Sequence, residues 1–138
     1  MRTIGVVSVG RSDYGIYLPI LRRIQKDESL DLCVFAAGMH VHAKHGMTVN
    51  AIEADGFRVV EKIDMLGDSD RPEDIASSIG RGVIGFASAF QRFSPDILVV
   101  LGDRFEMYSA ALAALPFNLP VAHIHGGELT QGAIDDAL

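Results

Sequence analysis

Charged and imidazole side chains follow several apolar runs of this sequence, at positions where strands would end. These side chains are Arg11, Asp13, Asp103, Arg104, Glu106, His123, His125, Glu128 and Asp135. Guanidinium groups pair with phosphate oxygens in a fork geometry and stay charged at neutral pH. Carboxylates and imidazoles can remove or deliver a proton when they lie within hydrogen-bond reach of a substrate. The set therefore predicts an anion-binding site, suited to a diphosphate, that also transfers protons.

The first of these side chains lies in a turn that reads "GRSDYG", from Gly10 to Gly15. A β-branched run, Ile4–Val9, precedes the turn, and apolar residues at helical spacing follow it. This pattern predicts a strand, a turn and a helix in succession. The turn matches neither the glycine fingerprint of dinucleotide-binding folds nor the P-loop. We therefore expect Arg11 to provide the anion contact that a glycine-rich turn provides elsewhere.

Strands and helices are predicted to alternate along the whole chain. The later elements are strands at Leu32–Ala37, Phe57–Ile63, Ile97–Leu101 and Pro120–His125, and helices at Thr48–Ala54, from Pro72 onward and at Phe105–Leu115. Three glycines in the long helix, Gly80, Gly82 and Gly85, are expected to permit close packing against the sheet. The alternation predicts an α/β fold with a Rossmann-like, three-layer, doubly wound parallel sheet.

The position of the site depends on the order of the strands. An order of 3-2-1-4-5 makes strands 1 and 4 neighbours at the point where the winding reverses. The loops Gly10–Gly15 and Gly102–Phe105 would then flank one crevice at the carboxyl ends of the strands, where ligands bind in such sheets. The alternative order 2-1-3-4-5 would separate these loops by one strand, and the sequence alone leaves both orders open.

The acids and arginines of the set also have structural interpretations. Asp13 and Asp103 could be helix N-caps, and Asp135 could interact with the dipole of a helix. Arg11 and Arg104 could form ion pairs at the surface.

The histidines allow similar alternatives. His123 and His125 point to the same side of a strand, where either could be a hydrogen-bonded core residue. His40, His42 and His45 in "GMHVHAKHG" suggest a metal site. No carboxylate or cysteine completes that site locally, so we expect no metal there.

Composition limits the class of protein. The chain has 138 residues, 49% of them hydrophobic, which suffices for one domain with a hydrophobic core. A net charge of −6 without a Lys/Arg run disfavours a nucleic-acid partner. Its apolar stretches are too short to span a bilayer and no signal peptide is recognisable, so a cytoplasmic location is expected. Cys33 is the only cysteine and lies in an apolar run, which predicts a buried thiol.

Three motifs resemble one enzyme family, and the match covers the whole chain. The motifs "GRSDYG", "PDILVVLGDRFEM" and "VAHIHGGELTQGAIDDA" are similar to those of the hydrolysing UDP-N-acetylglucosamine 2-epimerases of bacterial sialic and legionaminic acid biosynthesis. The last two motifs are long and specific. The resemblance implies that residues 1–138 form the N-terminal, Rossmann-like half of a two-domain fold of the glycosyltransferase-B type. With the C-terminal domain absent, this fragment alone is expected to be inactive.

The resemblance also implies a UDP-sugar substrate and a reaction in two steps. UDP leaves by anti elimination to give a 2-acetamidoglucal, and water then adds to give the free 2-epimerised sugar, with no cofactor and no metal. By family position, Asp103 is an acid/base carboxylate and Asp135 is a second catalytic acid. Arg11 and Arg104 contact the diphosphate, and Gly15 makes another nucleotide contact.

One position departs from the family pattern. Several members carry a catalytic glutamate where this chain has His125, while a glutamate remains at Glu128. Either His125 transfers the proton or Glu128 supplies the carboxylate, and the sequence alone does not decide between them. The departure is compatible with a different sugar, such as a 2,4-diacetamido-trideoxy hexose.

Two other classes of protein remain as alternatives. A metal-dependent phosphoesterase could use Asp103, His123, His125 and Glu128 as ligands, although the sequence lacks an Asp-x-His motif after strand 1. A nucleotide-binding module without chemistry of its own is the other alternative. We further expect an exposed apolar surface where a second domain or another subunit packs, and hence a homo-oligomer.

Overall fold

Apolar runs bounded by turn residues form five parallel strands in the computed structural model, which describes residues 1–124. The strands are β1 (Arg2–Ser8), β2 (Leu30–Ala37), β3 (Val59–Ile63), β4 (Ile97–Leu101) and β5 (Val121–Ile124). The α-helices between them are α1 (Arg11–Lys26), α2 (Val49–Ala54), α3 (Pro72–Arg92) and α4 (Phe105–Ala114). Short 3₁₀ turns occupy Gly38–Val41, Ala43–His45 and Leu115–Phe117.

The five strands form one sheet in the order β3-β2-β1-β4-β5. Ile4 of β1 is paired with Leu32 of β2 on one side and with Ile97 of β4 on the other. This order confirms the predicted 3-2-1-4-5 arrangement, and the alternative 2-1-3-4-5 is wrong. The chain winds outward from β1 in one direction, then returns through α3 and continues from β4 in the other. The fold is therefore the predicted doubly wound, Rossmann-like α/β sheet.

The hydrophobic core lies on both sides of the sheet. Right-handed crossovers place α1 and α2 on one face and α3 and α4 on the other, where α3 and α4 pack together. Phe35 of β2 meets Phe90 of α3 edge to face at 5.4 Å between ring centroids, a geometry that adds to the burial of the rings. Cys33 is buried, and this burial raises the pKa of its thiol to about 11, as expected for a core thiol.

The glycines of α3 are not equivalent. A Cβ atom at Gly82 would lie 2.9 Å from Cβ of Ser109 in α4, and one at Gly85 would lie 2.7 Å from Cγ2 of Ile63 in β3. The predicted close packing against the sheet is thus confirmed for Gly85, whereas Gly82 packs closely against helix α4 instead. A Cβ atom at Gly80 would meet nothing within 4 Å, so that part of the prediction is wrong.

This difference predicts opposite effects of two alanine substitutions in α3. Gly80→Ala is expected to stabilise the chain by about 0.5–1 kcal/mol, because alanine is the better helix former and its methyl group meets open space. Gly82→Ala is expected to destabilise the chain by about 1–3 kcal/mol, because its methyl group overpacks the contact with Ser109. Urea denaturation of both variants measures the difference, and equal effects would contradict the packing described for Gly82.

Several element boundaries differ from the prediction. The fourth helix ends at Ala114, one residue early, because a 3₁₀ turn containing Pro116 follows it. The fifth strand begins at Val121, since Pro120 has no N–H to donate. The 3₁₀ turns between β2 and α2 were not predicted at all. Among the helices that the structure describes, none is long and apolar enough to cross a membrane.

Candidate active-site crevice

The two predicted loops lie at the same edge of the sheet. The strands β1 and β4 are parallel neighbours, so the residues that follow them emerge side by side at their carboxyl ends. Arg11 is the first residue of α1 after β1, and Asp103 and Arg104 lie between β4 and α4. The strand order therefore brings these three residues to the point where the winding direction reverses.

Two adjoining clefts open at this edge. One, of about 220 Å³, is lined by Arg104 and Phe105 together with the 3₁₀ segment and the loop between β3 and α3. The other, of about 320 Å³, is lined by Arg11 and by the hydroxyl-bearing residues Ser12 and Thr48. Met39 and His45 line both clefts, so the clefts adjoin along these two residues, and we refer to the two clefts together as the crevice.

The turn that presents Arg11 is held by the carboxylate of Asp13. Gly10 is the N-cap residue of α1 in an extended conformation, and Asp13 lies three positions later. One Asp13 oxygen, Oδ2, accepts the backbone N–H groups of Val9 and Gly10, each at 3.0 Å. Asp13 therefore caps the helix from its first turn rather than from the N-cap position that the sequence suggested. Gly15 is exposed in this helix, and a Cβ atom there would meet nothing within 4 Å.

Burial and hydrogen bonding act on the pKa of Asp13 in opposite directions. Burial raises the pKa of Asp13 above its ordinary value, and hydrogen bonds from Ser8, Val9 and Gly10 oppose that rise. The nearby carboxylate of Glu106 adds to the rise because two like charges repel each other.

Arg104 is oriented by a buried glutamate. Its Nη2 lies 2.9 Å from Oε2 of Glu106 and its Nε lies 3.1 Å from Oε1, which is a fork-to-fork pair. The Glu106 side chain is fully buried, whereas 45% of the Arg104 side chain is exposed. The pair uses Nε and Nη2, which leaves Nη1 for an anion in the crevice. Arg104 thus has both the ion pair of its structural interpretation and an edge that faces the cleft.

Gly38 is required where Glu106 passes below the segment after β2. The φ angle of Gly38 is +59°, and a Cβ atom there would lie 2.9 Å from Oε2 of Glu106. Only glycine combines this backbone conformation with so close an approach. The Glu106 carboxylate therefore links the start of α4 to the segment that separates the two clefts.

Asp103 projects from the loop between β4 and α4 as an exposed residue. The N-cap position of α4 is occupied by Arg104, so the N-cap interpretation of Asp103 is wrong. Within residues 1–124, no hydrogen bond or ion pair engages the Asp103 carboxylate. The carboxylate is therefore exposed in the loop directly before Arg104 rather than used to support the fold.

The described histidines have structural partners or lie at the surface. His123 Nε2 donates to the backbone oxygen of Gly102 at 2.7 Å, so this histidine supports the loop before Asp103. His40 is buried with Nε2 2.7 Å from Ser8 Oγ and Nδ1 2.8 Å from Thr48 Oγ1. Because both of its nitrogens are engaged, His40 does not combine with His42 and His45 as a metal ligand. Within residues 1–124, no group of three or more His, Cys, Asp or Glu side chains could hold a metal ion.

Three residues of the predicted site, His125, Glu128 and Asp135, lie outside the described residues. Their roles stay predictions. Three other polar residues of this region, Ser8, His40 and Thr48, were not predicted as part of the site. Glu106 was in the predicted set, and it lies in the first turn of a helix directly after Arg104. Ser8, His40 and Thr48 come together only through the fold.

A comparison with models of known protein families shows the family of the chain. The family model of UDP-N-acetylglucosamine 2-epimerase matches residues 22–138. The match covers most of the chain, and the chain belongs to this family.

Two curated relatives are similar to the chain over nearly its whole length. The chain is 39% identical, over 99% of its length, to a UDP-N,N'-diacetylbacillosamine 2-epimerase (hydrolyzing) of Legionella pneumophila. It is 36% identical, again over 99% of its length, to a GDP/UDP-N,N'-diacetylbacillosamine 2-epimerase (hydrolyzing) of Campylobacter jejuni. The chain spans 36% and 35% of these two relatives, or about a third of their length.

Solved structures agree on the fold. The structure of UDP-GlcNAc 2-epimerase from Neisseria meningitidis bound to UDP-GlcNAc matches with a TM-score of 0.76 and 19% identity, over 96% of this chain and 33% of that one. A further UDP-N-acetylglucosamine 2-epimerase matches with a TM-score of 0.79 and 18% identity, over 98% of this chain and 36% of the other. The sheet and helices described above are therefore those of about a third of such an epimerase.

Proposed function

We propose that this chain is the N-terminal domain of a hydrolysing UDP-sugar 2-epimerase. The observation that carries the proposal is the pair of adjoining clefts at the switch point of the sheet, one lined by Arg11 and the other by Arg104, with Asp103 exposed in the loop directly before Arg104. In the proposed full-length protein, a second α/β domain of the glycosyltransferase-B type covers the open side of the crevice. Residues 1–138 alone then lack half of the site and are inactive.

In the proposed reaction, UDP leaves first. As the bond between C1 and the diphosphate oxygen breaks, positive charge grows at C1 and the proton on C2 becomes more acidic. Asp103 is the acid/base carboxylate that takes part in this proton transfer, and its exposed position allows it to reach a bound sugar. Arg11 and Arg104 stabilise the negative charge that develops on the leaving diphosphate. The product of this step is a 2-acetamidoglucal.

Water adds in the second step. A hydroxyl group forms at C1 and a proton returns to C2 on the opposite face, which releases the free 2-epimerised sugar. We assign the second acid to Asp135, and the remaining proton transfer to His125 or Glu128. Gly15 is assigned a nucleotide contact, which its exposed position at the start of α1 permits.

The sugar is proposed to carry two acetamido groups. Support comes from the two relatives that are 39% and 36% identical, both of which are named for N,N'-diacetylbacillosamine. The mixed lining of the cleft next to Arg104 suits such a sugar, because Leu66, Ile75 and Phe105 are apolar while the carboxylates of Asp68 and Asp70 can accept an acetamido N–H.

The proposal is tested with the full-length protein and two UDP-sugars. We expect kcat/KM for UDP-N,N'-diacetylbacillosamine to exceed that for UDP-N-acetylglucosamine by about tenfold or more. The two sugars share the acetamido group at C2, and a site built to bind a second acetamido N–H, at C4, discriminates against a sugar that lacks it. The rate of each reaction is measured as the release of UDP. In D₂O the free sugar should carry deuterium at C2, since C2 loses and regains a proton. Release of a sugar phosphate without deuterium would instead support a phosphoesterase.

The comparisons do not favour the phosphoesterase or the module without chemistry. A homo-oligomer and a cytoplasmic location stay predictions. Some apolar side chains are available for packing, since Ile84 of α3 is 74% exposed and Leu115 beyond α4 is 67% exposed. Gel filtration coupled to light scattering would give the oligomeric state of the full-length protein.

A further inference from the structure

A chain of buried hydrogen bonds runs behind the wall of the Arg11 cleft. Thr48 Oγ1 lies 2.8 Å from His40 Nδ1, and His40 Nε2 lies 2.7 Å from Ser8 Oγ. Ser8 Oγ in turn lies 2.5 Å from Oδ1 of Asp13. Ser8 is fully buried, and His40 is 1% and Asp13 5% exposed. These four residues come from β1, α1, the first 3₁₀ turn and the start of α2, and we call them the polar relay.

The relay has a defined direction when Asp13 is ionised. The Ser8 hydroxyl then donates to Asp13, which leaves the Ser8 oxygen to accept a hydrogen bond from His40 Nε2–H. Because His40 is neutral with its proton on Nε2, its Nδ1 accepts from the Thr48 hydroxyl. Burial favours this neutral ring by lowering the pKa of His40 to about 4. Each hydroxyl hydrogen of the relay is thereby committed to one partner.

One end of the relay holds the turn before Arg11. Asp13 receives the Ser8 hydroxyl on Oδ1, and its Oδ2 accepts the N–H groups of Val9 and Gly10. Gly10 directly precedes Arg11, so the direction in which the arginine leaves the backbone is set by this carboxylate. A backbone hydrogen bond also joins the segment after β2 to the turn after β1, because the N–H of Met39 donates to the oxygen of Val9 at 2.9 Å.

The other end of the relay reaches the cleft. Thr48 is half-buried and lines the cleft together with Arg11. It also occupies the N-cap position of α2, where a threonine hydroxyl usually caps the helix, yet it makes no capping hydrogen bond. Its hydroxyl is engaged by His40 instead. Thr48 therefore lacks the usual capping hydrogen bond at the start of α2. Its contact with His40 instead links the segment after β2 to the turn after β1.

We infer that Ser8 and His40 are positioning residues for Arg11, which they hold in its diphosphate-binding orientation through Asp13. The inference rests on the proposed function only in taking Arg11 as the diphosphate contact. Neither Ser8 nor His40 needs to touch the substrate, since both are buried behind the wall of the cleft. Holding the backbone from which Arg11 projects saves part of the free energy of ordering this turn when the anion binds.

A double-mutant cycle on the full-length protein tests the inference, with UDP as the ligand and calorimetry as the measurement. Arg11→Ala should weaken UDP binding roughly 10- to 100-fold, the range for a lost charge-assisted contact. Ser8→Ala should weaken it about five- to tenfold when Arg11 is present. In the Arg11→Ala background, Ser8→Ala should have no further effect, because it acts through the arginine. Uridine, which has no phosphate, should bind equally well to all four proteins.

Ser109→Ala is the matched control, since Ser109 is a fully buried serine in α4 that lines neither cleft. It should leave UDP affinity unchanged in both backgrounds. Should Ser8→Ala fail to fold, Thr48→Val removes the hydroxyl at the other end of the relay and should show the same dependence on Arg11. Equal losses with and without Arg11, or no loss from either relay variant, would overturn the inference. No loss from Arg11→Ala would instead refute the assigned role of Arg11, and the inference with it.

Discussion

Asp103→Asn is expected to abolish UDP release by the full-length protein while leaving UDP binding nearly intact. Asparagine keeps the shape and polarity of the side chain but cannot accept a proton from C2 at neutral pH. The loss of a positioned acid/base group lowers turnover by about 10²–10⁴-fold. Asp103 is exposed and supports no other described residue, so the substitution should cost little stability. The measurements are steady-state UDP release and calorimetric titration with UDP.

Asp64→Asn is the matched control for this experiment. Asp64 directly follows β3, is exposed and lines neither cleft, so it is a surface acid at the same edge of the sheet. Its substitution should change turnover less than about twofold. Turnover retained by Asp103→Asn would remove Asp103 from the mechanism. A parallel loss of UDP affinity would show that Asp103 binds the nucleotide or shapes the crevice.

The sheet could be predicted from the sequence because its signals are local. Runs such as Ile97–Leu101 are apolar throughout, as buried parallel strands require, and glycine, proline or charged residues bound them. General rules on winding from a central strand left two strand orders open, and the structure shows which of them is present. In the order 3-2-1-4-5, β1 and β4 are neighbours, so the loops that carry Arg11 and Asp103 emerge side by side. The placement of these two candidate residues was therefore predicted for one of the two orders only.

The buried hydrogen bonds and the ion pair that support the site could not be predicted from the sequence in the same way. Ser8 contacts His40 across 32 positions of sequence, and no local pattern signals such a pair. His40 was considered only as a metal ligand, because a polar residue in a short histidine-rich segment resembles a surface ligand more than a buried hydrogen-bond donor. Glu106 was included among the charged residues of the predicted site, but no local pattern indicated that its carboxylate would be buried. Its pairing with Arg104 depends on burial of the carboxylate below Gly38, which only the tertiary structure provides.

His40 should make the stability of this chain depend on pH in a predictable direction. Burial lowers the pKa of His40 from its ordinary value of 6.5 to about 4 in the folded state. Between these values the unfolded chain binds a proton that the folded chain does not, so the free energy of unfolding falls as the pH falls. Each unit of pKa difference corresponds to about 1.4 kcal/mol, which predicts a loss of about 2 kcal/mol by pH 5 and about 3 kcal/mol by pH 4.

Other groups near His40 also titrate, so the effect must be isolated as a difference between two proteins. The raised pKa of Asp13 makes the free energy of unfolding rise as the pH falls, which is the opposite of the effect of His40, because the folded state favours the protonated form of Asp13. Tyr14, whose ring lies 6.2 Å from that of His40, stays neutral over this pH range. Both groups are present in the wild type and in His40→Gln, so their contributions largely cancel in the difference.

Urea denaturation at pH 7, 6 and 5 provides the measurement. The stability of the wild type relative to His40→Gln should decrease by about 2 kcal/mol from pH 7 to pH 5, since only the wild type carries the buried imidazole. His45→Gln replaces an exposed histidine of the same segment and should leave the pH profile of the wild type unchanged. Parallel profiles for the wild type and His40→Gln would mean that His40 accepts a proton in the folded chain as readily as in water. Burial would then not hold the His40 ring neutral at pH 5.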